Sequence, residues 1–348
     1  MRTLNRLVMK KIYFFVLFLG ACQLADVQAQ DPQFSQFYAA PLYHNPAFTG
    51  AAHKGRLVAN YRNQWPSIPG AFVTTSFSVD NYLKAYNSGF GLVAHRDQAG
   101  TGGLSTTSIA MSYAYEINFS SQWNGRAGLS FGYANRNVDF TKLTFRDQLN
   151  ANFVPIPTSD PAQASLNRAS YFDISSGFLL YSRYIWVGTS VMHMNQPDQS
   201  LLGQTSKLPM RITLMAGAKI PLQKRLYGSD YLNKGADKSI SPSILYKRQG
   251  DFQQLDLGAY LTVKPLIVGM WYRGLPIANY ERGLYNQDAL VWLLGFKHDF
   301  FSLGYSYDLT ISKLGPGTAG SHEISLSYEF DNPKRRKKKV SPIPCPKF

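Results

Sequence analysis

Phe301-Ser302-Leu303-Gly304-Tyr305-Ser306-Tyr307-Asp308 is the stretch that decides the fold. Its large apolar residues fall at every second position, and the residues between them are small or polar. A period of two sends the two sets to opposite faces of a strand. The alternation returns at His322, Ile324, Leu326, Tyr328 and Phe330 against Glu323, Ser325, Ser327 and Glu329. Upstream it recurs at Ile109, Met111, Tyr113 and Tyr115, and at Ala127, Leu129, Phe131 and Tyr133. Strands this long, with a polar face rich in Ser, Gly and acids, predict an all-β transmembrane antiparallel barrel, greasy outside and polar within.

About fourteen strands carry the pattern: 56–62, 73–81, 89–96, 105–116, 124–135, 172–180, 184–193, 210–219, 239–248, 253–263, 266–273, 289–298, 301–308 and 321–330. An even number is what bacterial single-chain barrels need, and the lengths approach the ~9–11 residues of a tilted crossing. With both termini in the periplasm, the outward connections are 63–72, 97–104, 136–171, 194–209, 249–252, 274–288 and 309–320. These are mostly long. The inward ones, 82–88, 117–123, 181–183, 220–238, 264–265 and 299–300, are mostly short. That asymmetry is the outer-membrane rule, broken at 249–252 and 220–238. Pro155, Pro157 and Pro161 read as loop.

The start of the chain fixes the compartment. Arg2, Arg6, Lys10 and Lys11 precede an apolar run from Ile12 to Ala21, and Val27-Gln28-Ala29 is a small-residue cleavage pattern. Residues 1–29 read as a secretory signal peptide. Leu19-Gly20-Ala21-Cys22 is a competing lipoprotein box. If Cys22 leaves with the signal, Cys345 remains as a single thiol and forms no internal disulfide. No apolar run of ~20 residues follows, so no transmembrane helix is expected, and a membrane reading rests on strands alone.

The composition is 14% aromatic and 16% charged, which suits a lipid-facing band with interfacial girdles. Of the net charge of +15, residues 331–348 carry +6 and residues 1–29 carry +3. The basic character is thus partly local, and an exported chain does not meet nucleic acid. The six histidines show no metal-ligand spacing. No Gly-x-Ser-x-Gly elbow supports a nucleophile, and Gly100-Thr101-Gly102-Gly103 lacks the Lys-Ser/Thr of a phosphate cradle. The reading is therefore a non-enzymatic chain with no cofactor and no metal. Arg126, Lys247, Asp256, Glu323 and Glu329 fall on or near the polar face, as charges that pair across the lumen or line a water path.

Between the signal and the first strand, residues 30–55 form a distinct segment. Phe34, Phe37, Tyr38 and Tyr43 favour burial, while Pro32, Pro41 and Pro46 interrupt any strand. Such a segment folds into the lumen or against the periplasmic rim, either as a stabilising plug or as a partner contact. The barrel then spans 56–330, and 331–348 is a basic tail. In that tail Lys334, Arg335, Arg336, Lys337, Lys338 and Lys339 form a like-charge block. It is either a solvated end or a docking element for an acidic periplasmic partner or cell-wall polymer.

The opening Gln30-Asp31-Pro32-Gln33-Phe34-Ser35-Gln36-Phe37-Tyr38, followed by Pro41-Leu42-Tyr43-His44-Asn45-Pro46-Ala47-Phe48-Thr49-Gly50, resembles that of the PorP/SprF family of type IX secretion membrane proteins of Bacteroidetes. The resemblance extends to Tyr61-Arg62-Asn63-Gln64-Trp65-Pro66, His193-Met194-Asn195-Gln196-Pro197, Gly304 to Asp308, Ser321 to Leu326 and the Pro-Cys-Pro ending at 344–346. It implies an outer-membrane barrel that helps export or anchor a surface protein, such as a gliding-motility adhesin, or joins the periplasmic secretion machinery. Asp31, Pro32, Phe34, Phe37, Asn45 and Pro46 are its motif residues in this chain. The alternative, prompted by the polar strand face, is an outer-membrane porin or small-solute transporter.

Overall fold

The computed structural model describes residues 31–330 except 71, 102, 140–141, 145–147, 149–167, 202–204, 223–237, 282–283 and 314. The signal peptide with Cys22, the Pro155–Pro161 stretch and the tail with Lys334 to Lys339 and Cys345 lie outside the described residues. The strands are β1 (Gly55–Gln64), β2 (Phe72–Leu83), β3 (Ser88–Ala99), β4 (Leu104–Asn118), β5 (Asn124–Asn137), β6 (Arg168–Tyr181), β7 (Ile185–Met192) and β8 (Arg211–Ala218). They continue as β9 (Ile220–Pro221), β10 (Lys238–Gln249), β11 (Phe252–Val263), β12 (Leu266–Glu281), β13 (Leu284–His298), β14 (Phe301–Thr310) and β15 (Ser321–Phe330).

Each strand pairs antiparallel with its neighbour in sequence, apart from the two-residue β9, which only extends the edge of β8 along β10. The first strand closes on the last, from Gly55 opposite Phe330 to Gln64 opposite Ser321. The result is a closed antiparallel barrel of 14 strands. Closure removes both sheet edges, which is what lets strands satisfy their backbone in lipid. No helix among the described residues is long and apolar enough to cross a membrane.

Burial is inverted relative to a water-soluble sheet. Leu303 and Ile324 are 44% and 48% exposed, whereas Ser306 and Glu323 are 0% exposed. On the outer face Leu303 pairs across with Leu326 and Tyr305 with Ile324. An apolar band facing outward and polar residues facing inward is the arrangement a bilayer stabilises.

Two expectations are corrected. The connection placed at 274–288 is largely strand, because β12 and β13 run on to Glu281 and Leu284 through register shifts beginning at Arg273/Gly274. Bulges absorb the extra residues and hide the alternation from the sequence. The interior, in turn, is not uniformly polar. β14, β15, β1 and β2 point Ser306, Asp308, Glu323, Arg62 and Asp80 inward, while Leu179, Trp186, Met215, Tyr260, Trp271, Val291 and Leu293 form an apolar wall on β6 to β8 and β11 to β13.

What that apolar wall packs against is the chain's own amino-terminal segment. Residues 34–52 are buried without exception. The segment enters among His193, Arg211 and Gln249, at the rim that carries 193–210 and the β5–β6 connection. It leaves beside Asp80 and Gly89 at the opposite rim, where it turns into β1. Asp31 and Phe330 therefore lie at opposite rims.

Candidate functional site

Prolines and one asparagine give the segment its local shape. Phe37–Ala39 and Pro46–Phe48 are 3-10 turns, and Pro41–His44 is a single α-helical turn. Pro41 and Pro46 each open a turn, where a missing N–H costs nothing. Asn45 precedes Pro46, and its Oδ1 accepts the Ala47 amide at 2.8 Å, which caps the second 3-10 turn. Asn45 Nδ2 donates to the carbonyls of Thr189 (3.0 Å) and Phe178 (3.3 Å) in the wall. One side chain thus shapes the segment and fastens it.

Three polar clusters hold the segment from rim to rim. At the entry, Asp31 accepts from Arg211 Nη1 (2.7 Å) and His193 Nε2 (2.8 Å), and His193 Nδ1 donates to Asp173 (2.8 Å). Arg211 also donates to the Tyr43 carbonyl (3.1 Å), while the Tyr43 hydroxyl donates to the Pro32 carbonyl (2.5 Å). Deeper, Ser35 Oγ donates to Asp308 (2.6 Å) and accepts from Arg62 (2.7 Å) and Arg273 (2.8 Å). Glu323 takes the amides of Ser35 (2.7 Å) and Gln36 (3.1 Å). Near the exit, Arg126 donates to Glu116 (2.5 Å) and to the carbonyls of Ala47 (3.1 Å) and Thr49. Asp80 there accepts the Gly50 amide (2.7 Å) and a forked pair from Arg56. Hydrogen bonds to charged groups contribute roughly 1.5–3 kcal/mol each, and the buried carboxylates and guanidinia are largely charge-matched.

Between the clusters lies an aromatic layer. Phe37 meets Trp271 edge-on (4.9 Å between centroids), and Tyr38 meets Tyr260 (5.0 Å) and Trp186 (6.0 Å). Such pairs contribute about 0.5–1.5 kcal/mol beyond their buried area. Phe34 stacks edge-on to Tyr43 (5.0 Å) and is 2% exposed.

The wall is notched to admit the backbone. Gly128 and Gly177 face each other across β5 and β6. A Cβ at Gly128 would lie 2.4 Å from the Ala47 nitrogen, and one at Gly177 would lie 2.0 Å from Asn45 Oδ1. Gly89 meets the Thr49 carbonyl in the same way, at 2.0 Å.

The entry cluster is pH-sensitive with a defined sign. Burial alone would lower the His193 pKa, but the Asp31 charge and the hydrogen bonds to Asp173 and Asp31 carry it from 6.5 up to about 9. Asp31 is held well below the ordinary carboxylate range: its burial is outweighed by His193 and Arg211. A histidine raised on folding contributes stability that is complete below its unfolded value and is lost as pH climbs through the folded one. The entry is therefore expected to loosen between neutral pH and pH above about 9. Protease cleavage near Phe34 should rise over that window and lose the dependence in His193→Gln. A flat profile in the unsubstituted protein would contradict the assignment.

Of the six motif residues, Phe34, Phe37, Asn45 and Pro46 are buried within one segment and Asp31 and Pro32 are half-buried at its entry, while the basic run Lys334 to Lys339 lies outside the described residues. Of the expected lumen charges, Arg126 pairs with Glu116, Asp256 with Arg273, Glu323 with Arg62, and Glu329 with Lys54 and Lys297. Lys247 lies over the Phe252 ring. Arg62, Arg211, Arg273 and Asp308 were not singled out, although their inward register on alternating strands was a readable signal. Among the described residues no group of acids, histidines or cysteines could hold a metal ion.

The family model for "Type IX secretion system membrane protein PorP/SprF" matches residues 26–328. No curated protein matches the sequence. Among solved structures, the toluene transporter TbuX of Ralstonia pickettii is similar over 84% of this chain and 93% of its own, at 10% identity and a TM-score of 0.47. The monoaromatic hydrocarbon channel CymD is similar over 84% and 93%, at 13% identity and a TM-score of 0.45.

Proposed function

The chain belongs to the PorP/SprF family of type IX secretion system membrane proteins, and on that premise we propose that it acts as a plugged outer-membrane anchor for a secreted surface protein. It is an outer-membrane component of type IX secretion. In this reading residues 1–29 direct export and are removed, and the barrel holds or passes on a cargo such as a gliding adhesin without conducting it. The observation that carries the choice of anchor over conduit is the burial of residues 34–52 within the lumen. A porin or solute channel would need that segment displaced, against three clusters of charged hydrogen bonds.

The rim with 193–210 faces outward and meets the cargo. The rim of short turns faces the periplasm, where the chain runs past Phe330 into Lys334–Lys339. That basic run docks on an acidic component of the machinery or on cell-wall polymer. Loss of the gene is expected to leave a surface protein retained in the cell or shed to the medium. A chain ending at Phe330 should still form the barrel yet lose co-purifying periplasmic components after crosslinking. An unchanged set of surface proteins in the first case, or of crosslinked partners in the second, would count against this reading.

A further inference from the structure

We infer that the polypeptide passes through the outer membrane inside its own barrel, so that its amino end and its basic tail emerge on opposite faces. Three observations carry this. The Asp31 backbone amide donates to Gln249 Oε1 (3.1 Å), and Gln249 is the last residue of β10, at the rim beside the 250–251 turn. The Asp31 carboxylate is held by Arg211, the first residue of β8, and by His193, the residue after β7, both at that same rim. Phe330, the last residue of β15, pairs with Gly55 at the other rim.

From Asp31 the chain dips past Asp308 and Trp271, returns at Tyr43 to Pro32 and Arg211 beside the first rim, and then descends past Arg126 to Gly50 at the other, so Asp31 presents its amino side at the first rim. Crossing lipid is not involved, since every residue from 34 to 52 is enclosed by the wall. One physical consequence follows. The two rims face different partners: Asp31 sits among His193, Arg211 and Asp173, while Phe330, which the six-residue basic run follows in the sequence, ends at the other rim. Which face is external rests on the orientation proposed above; that the faces differ does not.

The test is labelling of intact cells with a membrane-impermeant maleimide. The native Cys345 reports the tail, and Gln30→Cys in a Cys345→Ser background reports the amino end. Labelling of Gln30→Cys on intact cells, with Cys345 labelled only after lysis, is expected. The reverse pattern upholds the inference and overturns the proposed orientation. Labelling of both from the same side overturns the inference. An epitope inserted between Gln30 and Asp31, read by antibody on intact and lysed cells, gives the same discrimination if the Gln30→Cys thiol is shielded.

Discussion

Asp308→Ala is expected to release the leading end of the lumen segment. The carboxylate binds Arg62 (2.8 Å), Arg273 (2.9 Å) and the Ser35 hydroxyl (2.6 Å), all buried. Without it, two guanidinia share Glu323 and Asp256, which lie 3.3 Å from Arg62 and Arg273 respectively. Breaking a buried pair from one side costs about 3–5 kcal/mol, because the remaining charge is stranded. The wall itself keeps its ladder, so the loss falls on the segment. Protease added to the detergent-solubilised protein should cut between Phe34 and Tyr38, while the barrel keeps its compact mobility on an unheated gel. Asp308→Asn, which keeps an acceptor for Ser35 but loses the charge, should fall between. Cleavage as slow as in the unsubstituted protein would show that the cluster does not hold the segment.

Gly177→Leu should expel the other end. Even the first added carbon lies 2.0 Å from Asn45 Oδ1, whose carboxamide is pinned by the Ala47 amide and the Thr189 and Phe178 carbonyls, and Gly128 opposite is backed by the Ala47 backbone. Overpacking typically costs about 1–3 kcal/mol. Here the cheaper response is to lose the segment, forfeiting the Asn45 cap and its two wall contacts. A barrel of this strand number has room for a channel once emptied. Ion conductance in planar bilayers should therefore appear in Gly177→Leu and be much smaller in Gly177→Ala. A Gly177→Leu protein that inserts and stays silent, with residues 34–52 still protected, would contradict the notch.

Much of the wall was legible because lipid imposes a strict rule on one face. Ile109 to Tyr115 and Phe301 to Tyr307 alternate since every outward position must be apolar, and the closing pair of β1 and β15 follows from the count. The inward face obeys no single rule. Ala289 to Phe296 is apolar on both faces, because Val291 and Leu293 join the core around the segment's Phe37 and Tyr38. Periodicity cannot register that, and the bulged stretch after Gly274 lost its alternation entirely.

The segment's aromatics and prolines announced burial but not route. Its path is written in the wall, by glycines at 89, 128 and 177 that composition alone reads as ordinary small inward residues. What distinguishes Gly128 and Gly177 is that they stand directly opposite on neighbouring strands, a fact available only once register is fixed. The arginines followed the same logic. Arg62, Arg126 and Arg273 occupy inward positions where an isolated charge is costly, so each implies a buried acid or carbonyl to meet it.

Hydrogen–deuterium exchange on the membrane-embedded protein tests the central claim most directly. The amides of Ser35, Gln36 and Gly50 are bound by Glu323 and Asp80 of the wall, and that of Ala47 by Asn45 of the segment itself. Peptides covering residues 34–52 should exchange as slowly as β14 and β15. Exchange of those peptides within seconds, at the rate of an open chain, would mean that the lumen is not filled by this segment.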